Sequence, residues 1–233
     1  ALAAYNRDRF KGPVVGITGS TGKTTTKDMV AAVLGVRLRT LKTEGNLNNE
    51  LGLPLTLLDL DDSVEAAVVE MAMRGPGEIA ALSRIARPEG AVITSINETH
   101  LERLGTVSNI AAAKGELLDY IPAEGFALLN VESPFIRREA KRCRGKVIFY
   151  GMDEYADLVA RDLRPERGGF SFTAVFQGES HDFYLPVPGR HNVLNALAAI
   201  GAGRELGLTM EEIAAGLATV SLSGMRLEIL EAG

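Results

Sequence analysis

Two hydrophobic rhythms alternate along this chain. Short β-branched runs at residues 13–18 (PVVGIT), 65–72 (EAAVVEMA), 91–96 (AVITSI) and 126–130 (FALLN) are separated by stretches whose apolar residues recur at helical spacing. Those stretches begin at Lys23 and run through 77–86 (GEIAALSRIA) and 109–121 (NIAAAKGELLDYI). Runs buried on both faces, linked by amphipathic helices, predict an α/β fold: a P-loop-type, mostly parallel sheet flanked by helices. Between about 146 and 188 the pattern changes to strict alternation broken by Gly168-Gly169 and Gly178, which predicts hairpin turns and a small antiparallel β insert. Helical spacing returns at 191–207 and 209–220, and RLEIL (226–230) predicts a last strand. No repeat, low-complexity tract or Pro/Ser-rich linker divides the chain, so residues 1–233 are expected to form one domain with the insert inside it.

Composition narrows the function classes. With 46% hydrophobic and 24% charged residues the chain has ordinary globular make-up, which excludes extensive disorder. Its longest apolar runs fall short of the roughly 20 residues a bilayer helix needs. A formal net charge of −5 argues against broad nucleic-acid binding while leaving room for a local cationic pocket. Cys143 is the only cysteine, so no internal disulfide is available and a reducing, cytoplasmic location is expected. The opening ALAAYNRDRF has arginines too early for a secretory signal and starts with alanine, which suggests a piece excised from a longer protein.

The chemistry first shows directly behind the first run, at GSTGKTTT (19–26). A strand, a glycine-bearing turn and a helix aim backbone N–H groups and the positive helix end at phosphate oxygens. Lys23 would reach the terminal phosphates of a nucleoside triphosphate, and the hydroxyl of Thr24 is placed to ligate magnesium. The common P-loop pattern has its first glycine where this chain has Ile17, with glycines at Gly16 and Gly19 instead. A plain glycine turn is the alternative reading of the segment.

The form TGSTGKTTT resembles the nucleotide loop of the Mur ligases and their folylpolyglutamate synthetase relatives. Further blocks follow in that family's order: TEGNLNNELGLPLTLL from Thr43, VVEMAMRGPGEIA from Val68, THLERLG from Thr99, AAAKGELL from Ala111, PGRHNVLNALAA from Pro188 and MRLEIL from Met225. Within the family, the asparagine-rich and EMAMRGPGEI blocks are most similar to the branch that joins D-alanyl-D-alanine to UDP-N-acetylmuramoyl-tripeptide. The resemblance implies the central ATPase domain of a three-domain ligase, the N-terminal and C-terminal domains being absent. It also implies an ATP-dependent reaction through an acyl phosphate, in peptidoglycan precursor synthesis, with ATP and Mg2+ as cofactors.

Carried across by motif, the phosphate contacts fall to Gly19, Ser20, Thr21, Gly22, Lys23, Thr24 and Thr25, and the metal to Thr24, Glu70 and His100. Lys114 would join them if carbamylated, and Lys23, Lys114 and His100 would take part in catalysis. Asn192 and Asn195 share a helix face, and their amides offer both donor and acceptor to an adenine edge. Arg226 would lie near the ATP at a domain boundary, and Asn46 and Asn49 would face the muramoyl-peptide substrate. On the residues alone, alternatives stand: Glu70 as a solvated edge-strand acid, His100 as a plain loop histidine, Lys114 as a surface lysine, Asn192 as a helix cap and Arg226 as a solvated arginine. The INET stretch before His100 departs from the glycine-proline loop of many relatives. Competing functions are a folylpolyglutamate- or cyanophycin-type ligase, a P-loop switch ATPase and a bare binding module.

Overall fold

The computed structural model describes residues 1–99 and 101–220; the expected strand at 226–230 and Arg226 lie outside these, as does His100. The described strands are β1 (Val14–Thr18), β2 (Thr40–Lys42), β3 (Ala66–Glu70), β4 (Gly90–Ile93), β5 (Phe126–Asn130), β6 (Lys146–Gly151), β7 (Leu158–Glu166), β8 (Gly169–Phe176) and β9 (Glu179–Leu185). The α-helices are α1 (Leu2–Arg9), α2 (Lys23–Leu34), α3 (Gly52–Leu58), α4 (Glu78–Ala86), α5 (Leu101–Leu104), α6 (Val107–Gly115), α7 (Ile136–Glu139), α8 (Arg190–Glu205) and α9 (Met210–Ala218). All strands join one sheet in the order β2-β3-β1-β4-β5-β6-β7-β8-β9. Pairing is parallel from β2 through β7 and antiparallel from β7 to β9. The α/β fold with a mostly parallel sheet, expected from the alternating rhythms, is the one observed.

Successive residues of the central strands feed two separate cores, which is why these runs are apolar throughout. Val15, Ile17, Val68, Val92 and Leu128 pack on one face with α2, α8 and α9. Val14, Ala67, Val69, Ala91, Ile93 and Leu129 pack on the other with residues of α3, α4 and α6. Helices α8 and α9 approach α2 closely because glycines leave room. A Cβ on Gly216 would sit 2.6 Å from the Cα of Val33, and one on Gly203 would sit 2.8 Å from its Cγ1. That packing ties the C-terminal end of α2 to the C-terminal end of α8 and to α9.

The antiparallel portion is narrower than the 146–188 span and is continuous with the main sheet. Residues Lys146–Gly151 (KVIFYG) pair in parallel with β5 and carry a continuous apolar run, whereas the hairpins begin at Leu158. Strand β8 then alternates, with Phe172, Ala174 and Phe176 buried towards the core. The hairpin turns fall at the expected glycines, Gly168 with φ +82° and Gly178 with φ +84°. The short helices α5 and α7 were not anticipated, and neither were β2, α3 and α1. Strand β2 is only three residues long, and α3 begins directly after the asparagine-rich block. Helix α1 is anchored by the buried guanidinium of Arg7, which donates to the carbonyls of Ala86 and Arg87 and to the Glu89 carboxylate.

Candidate functional site

The loop between β1 and α2 lies at the C-terminal edge of the parallel strands, where ligands bind in open α/β sheets. Gly22 caps α2 with φ 82°, a left-handed conformation that favours glycine, and no capping side chain covers the helix start. A helix start of this kind presents its first-turn N–H groups to the loop, as an anion site requires. Gly19 is needed for a different reason: a Cβ there would lie 1.9 Å from the Thr94 Oγ1. Gly16, by contrast, lies within β1, so the loop's own glycines are Gly19 and Gly22.

The loop is held from the end of β4. The Ser20 amide donates to the Ser95 carbonyl at 2.8 Å, the Thr21 amide to the Ser95 Oγ at 2.9 Å, and the Thr94 hydroxyl to the Thr21 carbonyl at 2.6 Å. Lys23 curls over it, its Nζ donating to the Gly19 carbonyl at 2.9 Å and the Ser20 carbonyl at 3.4 Å. Thr24 and Thr25 are half-buried in the first turn. Thr94 and Ser95 were not anticipated; the available signal was two hydroxyl residues directly after the run that ends at Ile93.

Glu70 ends β3 one register step from the loop strand, paired with Ile17. Its carboxylate is buried, 2% exposed, and Oε1 accepts from the Asn48 amide at 2.9 Å while Oε2 has no hydrogen-bond partner among the described residues. The Thr18 hydroxyl, at the end of β1, is likewise buried and has no partner among the described residues. A buried anionic oxygen left unpaired is costly unless a cation satisfies it, so this donor set of hard oxygens fits a divalent cation such as magnesium. The asparagine-rich segment supports Glu70 rather than merely turning. Thr43 Oγ1 accepts from the Glu70 amide at 2.9 Å, and the Ala72 amide donates to the Asn48 carbonyl at 2.8 Å. The buried Lys27 Nζ donates to the Thr43 carbonyl at 2.7 Å, which ties this segment to α2. Asn49 caps the entry to α3, its Oδ1 accepting from the amides of Leu51 and Gly52, and Asn46 is exposed.

Replacing Glu70 by alanine is expected to lower the affinity of the nucleotide-loaded chain for Mn2+ by about tenfold or more, and Asn48→Ala by a smaller factor in the same direction. Electron paramagnetic resonance of free Mn2+ measures both. Equal Mn2+ affinity in wild type and Glu70→Ala would remove this carboxylate from the metal site.

Lys114, on α6, is 2% exposed. Burial first, and then the nearby charge of Lys23, lower its pKa to about 7. Lys23 lies near enough for its charge to act on Lys114, and burial rules out the surface-lysine alternative. Asn192 and Asn195, 3% and 7% exposed, sit in the first turns of α8. Their amides are linked to each other and, through Asn195, to Thr26 of α2.

A family model, the Mur ligase middle domain, matches residues 17–203. The chain belongs to the Mur ligase middle-domain family. Among its relatives is the UDP-N-acetylmuramoyl-tripeptide–D-alanyl-D-alanine ligase of Bacillus subtilis, 43% identical over 94% of this chain and 47% of that protein. The corresponding Escherichia coli ligase is 37% identical over 97% of this chain and 50% of its own length. The fold superposes on MurF from Acinetobacter baumannii with a TM-score of 0.92 at 35% identity, covering 97% of this chain and 50% of that one. The Mur ligase domain described here thus spans about half the length of the relatives it matches. Among the described residues no helix is long and apolar enough to cross a membrane.

Proposed function

We propose that this Mur ligase domain is the central nucleotide-binding part of an ATP-dependent ligase that adds D-alanyl-D-alanine to UDP-N-acetylmuramoyl-tripeptide in peptidoglycan precursor synthesis. The unpaired, buried Glu70 oxygen at the same sheet edge as an open glycine loop carries the nucleotide reading. The substrate reading is supported by the relatives named above. ATP would lie with its phosphates on the first-turn amides of α2 and its terminal phosphates at Lys23. Thr24 and Glu70 would hold Mg2+, with His100 as a further ligand; the ion supplies positive charge between two anionic reactants. A cytoplasmic location suits both ATP and the single cysteine.

The substrate's terminal carboxylate oxygen attacks the γ-phosphorus and the bond to ADP breaks, giving an acyl phosphate. The amine of D-alanyl-D-alanine then attacks the acyl carbon, phosphate leaves, and the ammonium proton is released as the amide forms. Both anions must be held in line at the loop, which the Lys23 ammonium favours by offsetting their repulsion. Lys114, with its pKa near 7, has the neutral amine that CO2 requires. Its nitrogen would form a bond to the carbon of CO2 and lose a proton, leaving a carbamate whose oxygens suit a second Mg2+. Asn46, exposed beside the Glu70 support, would face the peptide substrate. Asn49 would face it too, and Arg226 would lie near the ATP.

Two measurements test this reading. Calorimetry of the chain is expected to detect Mg-ATP binding, whereas the chain alone, given ATP and both substrates, is expected to form no pentapeptide by mass spectrometry. A chimera carrying this chain in place of the matching half of the B. subtilis ligase is expected to release ADP only when D-alanyl-D-alanine is present. A chimera that binds ATP but releases ADP with a glutamate acceptor instead would move the chain to the folylpolyglutamate side of the family.

A further inference from the structure

Thr26 and Asn195 lie far apart in sequence, yet the Thr26 hydroxyl donates to the Asn195 Oδ1 at 3.1 Å. From there a buried line of amides continues: the Asn195 Nδ2 donates to the Asn192 Oδ1 at 3.0 Å, and the Asn192 Nδ2 to the Pro188 carbonyl at 2.7 Å. Thr26 also begins the α2 ladder, its amide donating to the Gly22 carbonyl at 2.9 Å. The same amide group of Asn195 closes over the loop itself. The three atoms nearest a Cβ built on Gly22 are its Oδ1 at 2.7 Å, Cγ at 3.5 Å and Nδ2 at 3.6 Å.

From these contacts we propose that Asn195, through Thr26 and Gly22, is a positioning residue for the phosphate loop, and not only a group available to a base. This rests on the nucleotide-site reading above. The Gly22 peptide sits between the Thr26 amide, which holds its carbonyl, and the Asn195 amide, which covers its Cα. Gly22 is the hinge at which the chain turns left-handed to aim the first-turn amides. A small rotation there swings all of them, so whatever fixes Gly22 fixes the phosphate donors. Asn195 is suited to this because an amide accepts from Thr26 and donates to Asn192 at once, and one N–H of each amide still remains for a ligand. In a site 7% exposed, water does not replace a lost partner cheaply.

Inorganic tripolyphosphate, which has phosphates and no base, separates the two roles. Calorimetry of the chain with Mg-ATP and with Mg-tripolyphosphate is expected to show Asn195→Ala and Thr26→Val weakened about tenfold or more for both probes. Thr26→Ser, which keeps the hydroxyl, is expected to stay near wild type for both. Thr26→Val preserves side-chain shape, so its loss would not reflect a collapsed fold, and circular dichroism melts check this directly. If tripolyphosphate affinity is unchanged in both variants while ATP affinity falls in Asn195→Ala, Asn195 serves the base alone and the proposal is wrong. A wild-type chain that binds neither probe would remove the nucleotide reading itself, and this proposal with it.

Discussion

Replacing Lys23 by alanine is expected to cost the chain about a hundredfold in Mg-ATP affinity, measured by calorimetry. The ammonium is held inside the loop by the Gly19 and Ser20 carbonyls, so its charge is positioned before any ligand arrives. Charge-assisted bonds from a cation to phosphate are worth roughly 1.5–3 kcal/mol each, and water entering the alanine variant would supply dipoles in place of a fixed charge. Arginine should not rescue it, because a planar guanidinium cannot make the compact turn back to the loop that an ammonium makes. Affinity within twofold of wild type in Lys23→Ala would take the loop out of the nucleotide site. The same variant carries a second expectation. The charge of Lys23 helps to depress the Lys114 pKa, so removing it should let that pKa rise, an effect visible by NMR titration of labelled lysine.

The loop was legible in the sequence because its parts are consecutive: strand, Gly19, Gly22 and Lys23 fall within a few residues, and local geometry does the rest. Glu70 was legible for the opposite reason, as a charge where an apolar run has no cause to place one. What held these groups was hidden, since it depends on contacts between distant segments. Thr94 and Ser95 clamp the loop from more than seventy residues away, and Asn195 reaches Thr26 from the far side of the chain. The asparagine block shows the same limit. Its composition marked it as special, but only the register of β2 beside β3 decides that Asn48 meets the carboxylate, Asn49 caps a helix and Asn46 is exposed. Strand β2 itself is too short to show a period, and α1 is held by Arg7 rather than by an apolar stripe.

Stability and chemistry meet at Lys114. Its folded pKa of about 7 lies well below the ordinary 10.5, chiefly because burial disfavours the ammonium. Between those two values the unfolded chain binds more protons than the folded one, so stability rises as pH increases from about 7 to 10.5. Below about 7 the folded state must bury the charge and the full cost remains. Lys114→Met keeps the stem and removes the charge, and is therefore expected to stabilise the ligand-free chain by on the order of 5 kcal/mol near pH 6 in CO2-free buffer. That corresponds to a rise in melting temperature of roughly 10–20 °C. The difference should shrink through the alkaline range and vanish above pH 10.5, as wild-type lysine becomes neutral in the unfolded state too. Bicarbonate at pH 8 should then raise the wild-type melting temperature and leave Lys114→Met unmoved, because carbamate formation draws only on the folded, neutral amine. A stability difference independent of pH would mean that Lys114 is not a strained buried ammonium, and a bicarbonate effect of equal size in both proteins would remove the carbamate.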